Sequence, residues 1–124
     1  IEIPLDDKEG TDLVFHVHWV GQTAPAGGTD NVKWQLAWNT TRDGVTTPAA
    51  TTDSAEVAYT TQYSWMRTDV ETITGATLKI GDQVNFTISR IAASADDYSG
   101  ELLVGTLGFH YQTDTLGSRQ IGTK

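Results

Sequence analysis

The chain has 124 residues and a mass of 13.5 kDa, enough for one buried core and too little for two, which excludes a multidomain enzyme. Its formal net charge of −8 repels phosphate backbones, and no cluster of Lys and Arg interrupts that field, so nucleic-acid binding is set aside. There is no cysteine to form a disulfide or a thiolate metal site, and no apolar run approaches the ~20 residues that cross a bilayer, so no membrane insertion is expected.

Ile1-Glu2-Ile3-Pro4 opens the chain with neither signal-peptide architecture nor an initiator Met, as expected of a fragment or processed product of something longer. Residues 1–10 and 119–124 read as extended arms or linkers around a single domain. Alternation with period two begins at Leu13. Up to Val20 the odd positions carry Leu13, Phe15, Val17 and Trp19, while the even ones mix Val14 and Val20 with His16 and His18. The odd face is core. Gly21 to Asn31, rich in Gly, Pro, Ala, Thr and Asp, reads as a long loop. Val32 to Asn39 alternates again, with Trp34, Leu36 and Trp38 inward and Lys33, Gln35 and Asn39 opposite.

A second long loop spans Thr41 to Ser54. Shorter strands with loose boundaries follow around Glu56–Tyr59, Gln62–Trp65 and Val70–Thr74, where Tyr63-Ser64-Trp65-Met66-Arg67 reads as irregular and polar. Gly81-Asp82 is a turn signal that feeds the strand Val84–Arg90, with Phe86 and Ile88 inward. Asp96-Asp97-Tyr98-Ser99-Gly100 is an acidic turn, and Leu102 to Gln112 is a strand that Gly105 and Gly108 are expected to bend. Seven or eight strands with no helical periodicity between them predict an all-β fold, an antiparallel two-sheet sandwich.

Few residue patterns carry chemistry. His16 and His18 share one strand face, and would hold zinc only if a third ligand such as His110 or Asp114 joined them. Imidazoles on an outer strand face more often pack at an interface or bond across strands, so no metal site is expected. Asp6-Asp7 with Glu9, and Asp96-Asp97 with Glu101, lack the spacing of a calcium loop and read as solvated turns. No Ser sits in a nucleophile elbow, and Ala26-Gly27-Gly28-Thr29 lacks the lysine of a phosphate loop. Neither a catalytic residue nor a cofactor is expected. Trp19, Trp34 and Trp38 belong to the core, whereas Trp65 and Tyr63 are candidates for ligand contact or a subunit interface.

Five segments together are distinctive: Phe15-His16-Val17-His18-Trp19, Val32-Lys33-Trp34-Gln35-Leu36, Leu78 through Phe86, Asp96-Asp97-Tyr98, and His110-Tyr111 with Asp114-Thr115-Leu116-Gly117-Ser118. In this combination the chain resembles a jelly-roll module of virion surface proteins in tailed bacteriophages, over about residues 11–118. The resemblance implies a jelly-roll sandwich and a non-enzymatic decoration, tail fibre or spike module. It implies a homotrimer in contact with other virion proteins, made in the host cytoplasm and carried on the head or tail. On that reading Val14, His16, His18 and Val20 are the candidate interface. The alternative on the same fold is a host-attachment head domain that binds a surface glycan or receptor, with contact on the two long loops and at Trp65.

Overall fold

A computed structural model describes residues 1–4 and 7–112. Six strands carry the fold: β1 (Leu13–Gly21), β2 (Asp30–Thr41), β3 (Thr51–Tyr59), β4 (Trp65–Ile73), β5 (Gln83–Ile91) and β6 (Leu102–His110). One turn of 3-10 helix, Gly75–Thr77, precedes β5. The strands form two antiparallel three-stranded sheets, ordered β4-β1-β6 and β3-β2-β5, packed face to face as a sandwich.

The period-two pattern decides which face of each strand is buried. Phe15, Val17 and Trp19 of β1 meet Val32, Trp34 and Leu36 of β2 across the sandwich, and Tyr59 and Tyr98 close one end of this core. Lys33 and Gln35 stay partly exposed and Asn85 points to solvent, as the alternation requires. Phe86 and Ile88 also point inward but are only half-buried, because β5 is an edge strand with no described strand beyond it. A second cluster, Ile3, Leu13, Ile73, Leu78 and Val84, ties the N-terminal arm to the body. Ile3 and Asp82 share a hydrogen bond, and Glu2 bridges to Gln83, so residues 1–4 lie along the start of β5.

Several expectations change. Among the described residues there are six strands, fewer than the seven or eight anticipated. The Thr-rich stretch is more ordered than its composition implies: β2 runs on to Thr41 and β3 begins at Thr51, so the second loop shrinks to 42–50, and the first shrinks to 22–29. Both extensions exist because β2 is a central strand: Thr40 and Thr41 find backbone partners on β5, and Thr51 to Ser54 find theirs on β2. Trp65 opens β4 and pairs with Val20, where an irregular segment was expected. The bend foreseen in the last strand is a bulge: His18 pairs with Thr106 and Trp19 with Val104, leaving Gly105 as the extra residue.

Candidate functional site

The outer face of the β4-β1-β6 sheet gathers most of the residues singled out by sequence. On β1, Val14, His16, His18 and Val20 form its central row, as the alternation predicts. Their flanks come from the ladder: Asp69, Arg67 and Trp65 on β4 stand opposite His16, His18 and Val20, while His110, Gly108, Thr106 and Leu103 on β6 stand opposite Val14, His16, His18 and Val20. Three histidines therefore meet. The His16 ring lies 4.9 Å from that of His18 and 4.2 Å from that of His110.

This cluster is arranged for packing. His16 is buried, with its Nδ1 unpartnered, and burial holds its pKa below the usual 6.5; the nearby His110, Arg67 and His18 push the same way, and Asp69 pushes back. Arg67 donates to Asp69 Oδ1 (2.8 Å) and to His110 Nδ1 (3.2 Å), so the His110 proton sits on Nε2. Among the described residues no group of three His, Cys, Asp or Glu side chains is disposed to hold a metal ion. Asp114, the other ligand considered, lies outside the described residues, as do Asp6 and the Thr115–Ser118 part of the resemblance.

Next to the histidines the face turns aromatic. Trp65 is 65% exposed and crosses the sheet from β4 onto β6, where a Cβ at Gly105 would come within 2.7 Å of its six-membered ring. The ring thus rests on bare backbone, and only glycine permits that approach. Tyr63, 64% exposed and held at φ 62°, and Leu103, 56% exposed, extend the apolar surface. Val20 and His16 are already covered within the chain, so the accessible contact atoms belong to Trp65, Tyr63, Leu103, Arg67 and His110. Of these, Leu103 and Arg67 were not singled out by the sequence, and Gly105 was read only as a bend in the strand, not as the seat of the indole. The bulge that brings Gly105 beneath the indole appears only when β6 is set against β1.

Elsewhere the acidic residues serve the fold. Asp97 Oδ1 accepts from the Ala93 N–H, and Asp96 sits at φ 50°, which makes Asp96-Asp97 a turn as expected. Glu9 is exposed and pairs loosely with Lys79 at 3.8 Å, but Asp7 is buried where a solvated turn was expected. Asp82 is buried and receives both Arg42 Nε (2.7 Å) and Nη2 (2.6 Å) together with the Lys79 N–H, and Arg42 is the main reason its pKa falls below 3.8. Loop 42–50 flanks two shallow depressions of about 240 and 310 Å³, one lined by Trp38, Asn85 and Phe86 and the other by Arg42, Val45 and Asp82.

One carboxyl pair meets between the sheets. Asp53 of β3 and Glu71 of β4 both stand on the inward register, opposite Leu36 and Phe15, and share a hydrogen bond. Two carboxyls in contact leave no room for a sugar or water between them, so this is not a glycosidase pair. Burial, then the bond to Asp53, raises the Glu71 pKa above its usual 4.5. A carboxyl whose folded pKa is raised stabilises the fold when protonated, and that contribution fades as pH rises through the folded value. Glu71→Gln keeps the hydrogen bond without needing a proton. Its melting temperature should exceed that of the unaltered chain at neutral pH, and the gap should close as pH falls towards 4.5. Parallel curves across that range would contradict the pairing.

Comparison with protein-family models, with curated proteins and with solved structures finds no match.

Proposed function

We propose that this chain is a non-enzymatic structural module of a phage virion surface, a jelly-roll decoration, fibre or spike domain that forms homotrimers through the outer face of its β4-β1-β6 sheet. The observation that carries the reading is Trp65, an exposed indole packed over Gly105 with the exposed Tyr63 and Leu103 on neighbouring positions. A large apolar ring held rigid on a sheet costs little entropy when it is covered, which suits a permanent contact. The acidic remainder of the surface keeps assembled particles apart. Virion proteins are its partners, and the virion surface is its location.

A second reading uses the same residues. Largely exposed, and with Arg67 next on the same face of β4, Trp65 also suits contact with a sugar in a host-attachment head. Trp65→Ala separates the two. It should leave folding intact because the side chain is mostly exposed. Under the assembly reading the native mass falls to one third; under the attachment reading the mass is kept while adsorption to host cells is lost. No change in either removes both readings.

A further inference from the structure

Strand β6 breaks the rules by which sandwich edges avoid pairing with other chains. It is nine residues long, ends its sheet, and bears neither a Lys, an Arg, a Pro nor a carboxylate. Residues 103–107 are exposed in an unbroken run. Val104 and Leu107 stand opposite Trp19 and Val17 and so point inward, yet are 48% and 38% exposed, because no described strand lies beyond β6 on that side. A complete jelly roll carries another strand at this position. The neighbouring β1 also lacks Asp and Glu, so in a chain of net charge −8 this edge is a place where a second acidic copy meets little local repulsion.

The pattern along β6 is self-complementary. Leu102, Val104, Leu107 and Phe109 point inward, and Leu103, Thr106, Gly108 and His110 outward, with the extra Gly105 resetting the alternation at the midpoint. Laid antiparallel on itself about Gly105 and Thr106, the strand sets Leu102 against Phe109, Val104 against Leu107 and Leu103 against Gly108. Inward residues then face inward ones on both sides of a twofold axis. A shift of one residue sets Leu103 against Phe109 and destroys that match. The same register puts Glu101, just before the strand, beside His110. Both are exposed, and since Arg67 occupies His110 Nδ1, the Nε2–H is the group available to a carboxylate.

We propose that β6 pairs antiparallel with β6 of a second copy of this chain, in the register that opposes Leu102 to Phe109 and Glu101 to His110, joining two three-stranded sheets into one of six. The contact runs along the strand edge by main-chain pairing, shares only Leu103 and His110 with the Trp65 face, and does not rest on the proposed function. If the threefold contact also operates, the two together give six copies.

A disulfide reports the register. The chain has no cysteine, and residues nine apart in one strand lie about 30 Å from each other, so Glu101→Cys with His110→Cys cannot close within a copy. Mild oxidation should give a covalent dimer in which the peptide bearing position 101 is joined to the peptide bearing position 110. A product that stays monomeric, or whose links join 101 to 101 and 110 to 110, overturns the proposal. Val104→Lys provides the second test by placing a charge on the edge. It should halve the native mass, from two copies to one or from six to three, whereas an unchanged mass, or an unaltered chain found only as one or three copies, contradicts the pairing.

Discussion

Trp19→Ala should bring the fold close to its limit of stability. Trp19 is fully buried on the central strand of its sheet, its ring 5.1 Å from Tyr59 and 6.2 Å from Trp34, and its Nε1–H donates to Thr68 Oγ1 at 3.0 Å. Truncating a buried Trp costs about 3–5 kcal/mol, and leaving the buried Thr68 hydroxyl unpaired adds about 1 kcal/mol or more, against a total stability of roughly 5–15 kcal/mol for a domain. Trp19→Phe keeps one aromatic ring in the core and loses the hydrogen bond and the rest of the indole's contacts, so it should cost clearly less than Trp19→Ala. Urea denaturation of the two variants checks this. A loss below about 1 kcal/mol for Trp19→Ala would mean the two sheets do not close on this ring as described.

Gly75→Ala should be comparably damaging by a different route. Here the neighbour is main chain: a Cβ at Gly75 would lie 1.7 Å from the carbonyl oxygen of Thr11 and 2.3 Å from its carbon. Backbone cannot rotate aside as a side chain can, so the 3-10 turn and the segment entering β1 must separate. The bond from the Gly75 N–H to Asp12 Oδ1 at 2.9 Å and the packing of Ile3, Leu13 and Leu78 are then strained together. Gly28→Ala is the control. Its φ of 84° makes alanine unfavourable, but nothing lies within 4 Å, so only the local cost of about 1–2 kcal/mol is expected. Hydrogen exchange should show Leu13 and its neighbours losing protection in Gly75→Ala and keeping it in Gly28→Ala. Equal melting temperatures for the two would contradict the close crossing.

What the sequence made legible was whatever depends on alternation. Phe15, Val17, Trp19, Trp34 and Leu36 face the core because a strand has two faces and these residues share one. The outward placement of His16 and His18, and the bend at Gly105, follow from the same arithmetic. What stayed hidden depends on strand neighbours far apart in the chain. Nothing near Trp65 signals that it lies over Gly105, forty residues on, and nothing near His110 signals Arg67. The extent of β3 was hidden for a related reason: Thr51 to Ser54 has no inward apolar residue, and β2 supplies the ladder that makes it a strand. The half-burial of Phe86 and Ile88 reflects their place on an edge, which periodicity does not encode.

The proposed place on a virion surface is open to direct imaging of intact phage particles that carry an affinity-labelled copy of the chain. Label is expected at regular positions on the outside of the head or tail, with the copies at each position matching the native mass of the isolated domain. Label confined to the lysate, absent from purified particles of full infectivity, would contradict it.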